Sequence, residues 1–323
     1  MDEPNRFNCQ NFGSDNLTPP LGTMRKSPSS VKSPRWEFWE SSRNVHVISI
    51  NLPNVGSEQW VLLQTDCHWD NPHCDRELMK RHLDLALERN APVIDAGDFG
   101  CLMQGKYDKR SSKKDIRPEH MTGDYLDAIV RTAAEWLEPY KSILTVRGVG
   151  NHESAIQKNH ETDITERICE RLRAKGGIAR RGGYSGYVRF AISIGGRSTV
   201  RKLWYFHGSG GGGPVTRGVI QTNRQAVYVA DADFVFTGHT HDSWMVPIER
   251  IRLASDDKIT MFRQTHIKGP GYKEEFRDGY GGWHIERGGP PKPTGAWWLR
   301  FYAPTGKFNG QNKLAECEVI EAR

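Results

Sequence analysis

Five short clusters of histidine, aspartate and asparagine are the parts of this sequence whose residue types are best suited to chemistry. In chain order they are Asp66-Cys67-His68, Gly97-Asp98, Gly150-Asn151-His152-Glu153, His207-Gly208 and Gly238-His239-Thr240-His241. Mixed carboxylate, imidazole and amide-oxygen ligands suit Mn, Fe or Zn better than Ca, and they bind such ions without a thiolate. A glycine beside a ligand lets the backbone turn sharply and approach a bound group closely. The five clusters therefore point to a metal centre.

A predicted strand precedes each of these clusters. Short apolar runs rich in β-branched residues are typical of buried strands. The runs in question are residues 59–65, 92–96, 142–146, 202–206 and 233–237. In an open α/β sheet, ligands bind beyond the carboxyl ends of the strands, so the five loops should converge on one crevice. Any one cluster occurs often by chance, whereas all five behind strands indicate a single site.

The same patterning predicts an α/β fold with two sheets. Helices are predicted between the strands, at residues 76–89, 122–137 and 161–175. Alternation of strand and helix predicts parallel pairing with helices on the faces of the sheet. Four further strands have no helix between them, at residues 184–194, 244–253, 258–266 and 297–303. They predict a second, more antiparallel sheet packed on the first, and a strand at 46–51 should be connected to 59–65 by a turn.

Together the clusters resemble the motifs of the calcineurin-like metallophosphoesterase superfamily, which read D-x-H, GD, GNH-D/E, a lone H and GH-x-H. The resemblance covers roughly residues 59–245. It implies a four-layer α/β/β/α sandwich of two mixed β-sheets, with a dinuclear metal site at the strand carboxyl ends. It also implies a hydrolase whose cofactors are two divalent metal ions, with Mn²⁺ expected first and Fe, Zn or Mg as alternatives.

The resemblance also assigns roles to individual residues. Asp98 bridges the two metals, and the other ligands are divided between them, with Asp66, His68 and His241 on one metal and Asn151, His207 and His239 on the other. His152 matches the histidine beside the leaving group, so His152, Asp98 and Asn151 form the expected catalytic set. Two divalent ions lower the pKa of a shared water and neutralise charge on the phosphoryl oxygens. Glu153 either orients His152 or is an exposed loop carboxylate.

Departures from the family motifs narrow the substrate class. The second motif reads Gly97-Asp98-Phe99-Gly100-Cys101, without the second aspartate and the arginine of the GDxxDRG motif in protein Ser/Thr phosphatases. The acidic residue that usually follows the GD of Mre11/SbcD-like nucleases is also missing, so that resemblance is partial. A phosphodiesterase acting on nucleic acid is favoured. The alternatives are an enzyme for nucleotides or cyclic dinucleotides and a non-enzymatic binding module, which the complete ligand set disfavours.

Several segments could contact a substrate. Gly208, Ser209 and Arg217 belong to a glycine-rich loop that either presents N–H groups to a phosphate or acts as a lid. The basic segment 106–117 is either a flap or a solvated insertion, and the aromatic residues of 269–295 either stack on bases or pack inwards. Residues 167–202 carry ten Lys or Arg and one acid, within a chain of net charge +6. This basic run is either a track for phosphates or a solvated face.

The remaining features concern organisation and location. Residues 1–44 lack periodicity and predict a disordered or loosely docked arm, followed by the domain at 45–323. The six cysteines form no CxxC pair, which favours free thiols in a reducing compartment. No apolar stretch approaches the roughly 18 residues of a membrane span, so no membrane partner is expected. We expect a cytoplasmic protein of a bacterial or phage-infected cell, with the oligomeric state left open.

Overall fold

Two mixed β-sheets form the framework of the fold. The computed structural model describes residues 35–103, 115–211, 216, 218–277, 280–281, 285, 288–304 and 315–323, which belong to one compact unit. The strands are β1 (Trp36–Ser42), β2 (Val45–Leu52), β3 (Glu58–Gln64), β4 (Val93–Asp95), β5 (Leu144–Arg147), β6 (Arg180–Arg181), β7 (Ser185–Ile194), β8 (Arg197–Phe206), β9 (Phe234–Thr237), β10 (Trp244–Leu253), β11 (Ile259–Lys268), β12 (Phe276–Arg277), β13 (Tyr280–Gly281), β14 (Ala296–Tyr302) and β15 (Glu316–Ala322). The helices are α1 (Arg76–Glu88), α2 (Tyr125–Leu137), α3 (Asn151–His160), α4 (Ile164–Ala174) and α5 (Val219–Tyr228).

The six-stranded sheet has the order β15-β14-β3-β4-β5-β6. Strands β3 to β6 are parallel, and helices α1, α2 and α4 lie in the connections between them. These helices bury apolar side chains in the main core, for example Leu83 of α1, Ile129 of α2 and Leu172 of α4. The predicted parallel strand–helix–strand arrangement is confirmed for this sheet. In the part of the chain that is described, no helix combines the length and apolar character needed to cross a bilayer.

The seven-stranded sheet has the order β1-β2-β7-β8-β9-β11-β10 and mixes both kinds of pairing. Strands β8 and β9 run parallel to each other, as do β2 and β7, whereas β7 and β8 form an antiparallel hairpin. The inner faces of the two sheets meet in one core, where Phe190 of β7 lies 4.8 Å from Phe301 of β14 between ring centroids. On the opposite face of the seven-stranded sheet, Trp204 of β8 contacts Tyr228 of α5 edge to face.

Three predicted strand placements were wrong. Strands β8 and β9 belong to the seven-stranded sheet and not to the sheet that holds β3. Strand β14, assigned to the second sheet, pairs antiparallel with β3 in the six-stranded sheet. An apolar pattern shows that a strand is buried, but its partners are set by side-chain packing across strands. The pattern therefore located these strands without identifying their neighbours.

The folded chain extends further towards the N-terminus than residue 45. Strand β1, inside the predicted arm of residues 1–44, pairs antiparallel with β2. Trp36 at its start is buried, and its indole N–H donates to the main-chain carbonyl of Asn90 at 2.7 Å. The apolar side chain and its satisfied N–H explain why this part of the segment is held to the sheet. Residues 1–34 lie outside the described ranges.

A buried ion pair fastens the carboxyl ends of three neighbouring strands. Arg147 at the end of β5 lies 3.3 Å from Asp95 at the end of β4, and both side chains are at most 2% exposed. Gln64, the last residue of β3, donates to the same carboxylate at 3.2 Å. The other Asp95 oxygen accepts the main-chain N–H of Gly97, and the Arg147 guanidinium lies over the ring of Phe99. The loops after β3, β4 and β5 thus start from one rigid platform.

Replacing Arg147 should test this platform. Arg147→Leu leaves Asp95 buried without its cation, and loss of one partner of a buried pair costs about 3–5 kcal/mol of unfolding free energy. Urea denaturation at neutral pH measures the change. The control is Lys80→Ala, which removes an exposed pair with Asp84 and should cost no more than about 0.5 kcal/mol. Equal losses in the two variants would contradict a structural role for the buried pair.

Candidate metal centre

The loops after β3, β4, β5, β8 and β9 meet at one place and bring together all seven predicted ligand residues. Ligand atoms of one group lie within 4.8 Å of one another, and so do those of a second group; the groups are Asp66, His68 and His241, and Asp98, His207 and His239. Asn151 joins the second group, because its side-chain oxygen lies 3.1 Å from His207 Nε2 and 2.7 Å from His239 Nδ1. The predicted convergence of the five loops on one crevice is therefore what the structure shows.

Asp66 connects the two sheets. Its Oδ2 atom accepts hydrogen bonds from the Thr65 hydroxyl and from the main-chain N–H of His239, both at 2.8 Å. The loop after β3 is thereby attached to the loop after β9, which belongs to the other sheet. The second oxygen, Oδ1, lies 3.4 Å from His241 Nε2. One oxygen of this buried carboxylate thus fixes the loops, and the other faces the histidines.

Asp98 has the same division of roles. Its Oδ1 atom accepts the main-chain N–H of His152 at 2.9 Å, which ties the loop after β4 to the start of α3. Its Oδ2 atom lies 3.0 Å from His207 Nε2 and 3.7 Å from His152 Nε2. This carboxylate is 2% exposed. Its second oxygen therefore faces His207 of the second ligand group and His152, the histidine expected beside the leaving group.

Backbone strain is concentrated at the predicted ligands. Five of them have a positive φ, at 50° for Asp66, 47° for His68, 53° for Asp98, 75° for His239 and 54° for His241. Such conformations are unfavourable for residues with a side chain, cost of order 1–3 kcal/mol each, and cluster at functional sites. The fold therefore holds these five side chains inwards against a local preference of the backbone.

Two glycines allow the ligand loops to approach one another. Gly97 has φ of 106°, and a Cβ atom there would lie 2.4 Å from the main-chain nitrogen of Gly150. A Cβ atom on Gly238 would lie 2.2 Å from Asp66 Oδ2. Any larger residue at either position would push the loops apart. The glycines of the GD and GH-x-H motifs are thus required by close packing of backbone against ligand.

The charges of the site favour cations. Burial opposes ionisation of Asp66, but His241 and His207 outweigh it and keep the pKa of Asp66 below its ordinary value. Burial also opposes ionisation of Asp98, whose pKa His207 holds well below the ordinary value. Burial lowers the pKa of His207, yet Asp98 and Asp66 raise it to about 9. Burial is the main reason why the pKa of His68 lies well below its usual value. The two ionised carboxylates therefore stabilise positive charge at His207, which is the sign of charge that a divalent metal would bring to the same place.

Polar atoms in the centre fit bound cations. His68 Nε2 and His241 Nε2 lie 3.2 Å apart, so two imidazole nitrogens face each other. Within the described ranges, Asp66 Oδ1 accepts no hydrogen bond although it is fully buried. His207 Nδ1 lies 3.2 Å from the carbonyl of Ala96, which leaves Nε2 directed at Asp98. A backbone partner for the second ring nitrogen is the usual arrangement around a metal-ligating histidine. The residues therefore suit divalent ions.

His152 lies beside both groups. Its ring is edge to face with His68, with 5.0 Å between centroids, and its Nδ1 atom contacts the main-chain carbonyl of Cys101. That contact favours the tautomer with the proton on Nδ1 and leaves Nε2 facing Asp98. The side chain is nearly buried at 9% exposure. His152 thus contacts one residue of each ligand group, His68 of the first and Asp98 of the second.

Glu153 is a positioning residue that the sequence left undecided. It is buried, and its carboxylate accepts main-chain N–H groups from Asp98 at 3.0 Å, Gly100 at 3.0 Å and Gly150 at 2.8 Å. Burial and the charge of Asp98 raise its pKa to about 8. A glutamate at the third helical position commonly accepts a hydrogen bond from the N-cap nitrogen. Glu153 has this position in the helix that starts at the GNHE cluster, so the sequence already indicated its bond to the Gly150 N–H.

Asp70 is a second positioning residue, and sequence reasoning missed it. Its carboxylate accepts main-chain N–H groups from Cys101 and Leu102 and the hydroxyl of Tyr125, the last at 2.6 Å. Trp69, next to it, stacks on Phe99 of the GD loop. The loop after β3 therefore holds the loop after β4 from two sides. A second aspartate two residues after the D-x-H motif was the only signal in the sequence.

The predicted substrate-binding residues are only partly described. Gly208 is buried against His239, and its carbonyl accepts the Tyr184 hydroxyl at 2.8 Å. Ser209 beside it is exposed, and Arg217 lies outside the described residues. The Tyr184 ring packs edge to face on His207, with 5.4 Å between centroids. Tyr184 thus supports the loop after β8, a role that its sequence context did not indicate.

The basic segment 106–117 and the aromatic-containing segment 269–295, each of which had two possible roles, are also only partly described. Most of 106–117 lies outside the described ranges, but Arg117 donates to the carbonyls of Asn71 and Cys74 at 3.0 Å and so packs on the loop after β3. Within 269–295, Tyr272 is fully buried and its hydroxyl lies 2.9 Å from His82 Nδ1, whereas Phe276 is 42% exposed. At Tyr272 the inward-packing alternative therefore holds.

Most of the basic run is engaged in ion pairs. Six of its ten cations lie within 4.0 Å of a carboxylate, and they are Arg167, Arg173, Lys175, Arg181, Arg201 and Lys202. Several of these pairs join different elements, as Arg181 of β6 does with Asp163 before α4 at 2.7 Å. Such cations mainly balance the acids of the same surface. Six of the ten cations are thus partly neutralised by neighbouring acids, which leaves fewer of them to face a phosphate.

Removing the Glu153 carboxylate should loosen the centre. Glu153→Ala leaves three buried N–H groups without an acceptor, which should lower the unfolding free energy by about 3 kcal/mol. Loss of a positioning group should also weaken Mn²⁺ binding by about 10–100-fold, measured by calorimetric titration of the folded variant. Ser154→Ala is the control, since that hydroxyl bonds only the Gly150 carbonyl, at 2.7 Å, among described atoms. Unchanged Mn²⁺ affinity in folded Glu153→Ala would contradict the positioning role.

Comparisons with known proteins add little to this geometry. No protein-family model and no curated protein matches the sequence. Among solved structures, the chain is similar to Vps29 from Entamoeba histolytica, determined in complex with Zn²⁺. The match has 12% sequence identity and a TM-score of 0.31, and it covers 81% of this chain and 99% of that chain. The positions of the candidate ligands, and not this similarity, are therefore the basis for a function.

Proposed function

We propose that the chain is a metal-dependent phosphoesterase of the calcineurin-like metallophosphoesterase superfamily that hydrolyses phosphodiester bonds in nucleic acid. The observation that carries the proposal is the pair of buried ligand groups at the ends of five strands, with His152 beside both. The motifs that resemble the superfamily are the same residues that converge in space. A four-layer sandwich with a dinuclear centre is part of the proposal, and the two packed sheets and α1 to α5 support it.

Each group would hold one divalent cation. Asp66, His68 and His241 would hold the first, and His207 and His239 the second, together with the Asn151 amide oxygen. Asp98 belongs to the second group and would serve both ions, as the resemblance to the superfamily motifs implies. Two bound divalent ions, with Mn²⁺ proposed first, supply a water-derived nucleophile at neutral pH and neutralise phosphoryl charge.

The protein side chains supply proton transfer and exclusion of water. With its Nδ1 proton directed at the Cys101 carbonyl, His152 can take up a second proton on Nε2. From there it can donate that proton to the leaving oxygen as the ester bond breaks, which is general acid catalysis. Burial of Asp66, Asp98 and His207 keeps water away from the charged groups and strengthens their interactions. Asp98 faces Nε2 and would stabilise the protonated imidazole.

Nucleic acid is the proposed substrate because of the basic surface. The chain carries a net charge of +6. Arg171, Arg189 and Arg197 of the basic run are exposed, and none of them has an ion pair with another described residue. Exposed cations of this kind can neutralise backbone phosphates. The free thiols of all five described cysteines support the proposal of a reducing, cytoplasmic environment.

A small phosphodiester, such as a cyclic dinucleotide, is the second candidate substrate. The observation in its favour is the set of ion pairs that occupies six of the ten cations in the basic run. A substrate with one or two phosphates would need few cations beyond the metals. A long nucleic acid would need several.

Ligand and proton-donor variants should separate metal binding from chemistry. His239→Ala should lose Mn²⁺-dependent hydrolysis of bis-p-nitrophenyl phosphate, because a ligand of the second metal is gone. His152→Ala should keep its metal content while turnover falls by about 10²–10⁴-fold, the size of a general acid contribution. Metal content is measured by elemental analysis after gel filtration. The control is His73→Ala, which removes an exposed histidine of the segment between β3 and α1. Turnover retained by His239→Ala would contradict the two-metal assignment.

A matched substrate panel should identify the class of ester. The purified protein with Mn²⁺ is assayed on single-stranded DNA, duplex DNA, a cyclic dinucleotide and a phosphomonoester at equal phosphate concentration. We expect DNA to be cleaved fastest and its cleavage to weaken as salt rises, because bound phosphates release counterions. Fastest cleavage of the cyclic dinucleotide would favour the second candidate. Preference for the monoester would contradict phosphodiester hydrolysis altogether.

A further inference from the structure

A third group of metal-ligating side chains lies at the edge of the candidate centre. Ring nitrogens of His68 and His152 and the sulfur of Cys101 all lie within 4.8 Å of one another. The three side chains are 3%, 9% and 2% exposed, respectively. Cys101 has no part in the proposed hydrolysis, whereas His68 is a proposed ligand and His152 the proposed proton donor. The group therefore overlaps the centre without being one of its two metal groups.

The surroundings of Cys101 hold its sulfur in place. The Asn71 side-chain N–H donates to the sulfur at 3.3 Å, and Asp70 accepts the main-chain N–H of Cys101. The carbonyl of the same residue contacts His152 Nδ1, so the positions of the thiol and the imidazole are coupled. Burial and the nearby Asp70 carboxylate raise the pKa of Cys101 to about 12, and the Lys273 ammonium opposes them only in part, so the sulfur is a thiol until an ion binds. Packing and hydrogen bonds thus preform the group before any ion binds.

The donor set differs in chemistry from the two neighbouring groups. Those groups contain carboxylates, which suit hard and borderline ions such as Mn²⁺. Here the donors are one sulfur and two imidazoles, a set that selects soft and borderline ions such as Zn²⁺ and excludes Mg²⁺ and Ca²⁺. Cd²⁺ shares the preference of Zn²⁺ for thiolates. The ion that fits is therefore different from the one proposed for hydrolysis.

We propose that His68, Cys101 and His152 form an inhibitory site for thiophilic divalent ions, Zn²⁺ or Cd²⁺. On binding, the metal–sulfur bond forms as the thiol S–H bond breaks, and the proton leaves to solvent. Because His68 also belongs to the group of Asp66 and His241, an ion in the third site removes a ligand from the first metal. It also occupies the imidazole of His152. The inhibition rests on the proposed hydrolysis, whereas the metal site itself does not.

Cadmium binding tests the site directly. The full-length protein, loaded with Mn²⁺, is titrated with Cd²⁺ while the near-ultraviolet charge-transfer band of a cadmium–thiolate bond is recorded. Wild type should develop this band, and Cys101→Ala should not, with Cd²⁺ affinity at least about 10-fold weaker. Cys101→Ser is a second variant, because its hydroxyl can still accept from Asn71 and preserve the loop. Cys169→Ala, which removes a buried thiol in α4, is the control and should keep the band.

Inhibition is measured in the same samples with bis-p-nitrophenyl phosphate and Mn²⁺, relative to each variant without Cd²⁺. Cd²⁺ should inhibit wild type and Cys169→Ala at concentrations about 10-fold lower than it inhibits Cys101→Ser. A band of equal strength in Cys101→Ser, or no band in wild type, would overturn the site. Equal inhibition of wild type and Cys101→Ser would overturn the inhibitory role. A band that depends on Cys101 in a protein without hydrolytic activity would support the site and contradict the proposed function.

Discussion

Everything at the candidate centre depends on two buried carboxylates, each of which has one oxygen in the scaffold and one in the site. Asp66 and Asp98 are at most 2% exposed, and an ionised group at such a depth must be hydrogen-bonded or paired. One oxygen of each carboxylate accepts a hydrogen bond from the main chain of another ligand loop. The His239 N–H donates to Asp66, and the His152 N–H donates to Asp98. The loops are therefore positioned by the same groups that would bind the metals. This explains why five ligands keep a strained backbone that they would not adopt alone.

Much of the fold could be predicted from apolar periodicity, but the partners of the strands could not. The strands before the five clusters and helices α1, α2 and α4 lie close to their predicted positions. Strand β14 shows where prediction failed, since its run Ala-Trp-Trp-Leu-Arg-Phe-Tyr marks a buried strand that fits either sheet. Its place beside β3 depends on contacts across the sheet that are distant in sequence. Helix α5 lies within residues 219–228, where no helix was predicted from the sequence.

The candidate ligands were found from sequence because their motifs are short and local, whereas the contacts that support them were not. The D-x-H and GH-x-H clusters carry their ligands within a few positions, next to a strand. Glu153 was considered from sequence as a residue that could orient His152, but its bond to the Gly100 N–H of another loop was not foreseen. Asp70 was missed, because its role becomes visible only when the Leu102 N–H of another loop is in place. The basic run at residues 167–202 says even less about which cations face a ligand, because Arg181, for example, is paired with Asp163. Composition counts cations but does not show which acids they face.

The hydrogen bond from the His239 N–H to Asp66 has a consequence for the order of folding. It joins residues 173 positions apart and crosses from one sheet to the other. Contacts of such large sequence separation form late, because the loop between them must first be closed. Neither sheet contains a complete centre, so a partly folded chain with a single sheet formed would bind metal weakly or not at all. Metal affinity would therefore report on the docking of the two sheets, because a newly synthesised chain has no complete ligand set until that docking has occurred.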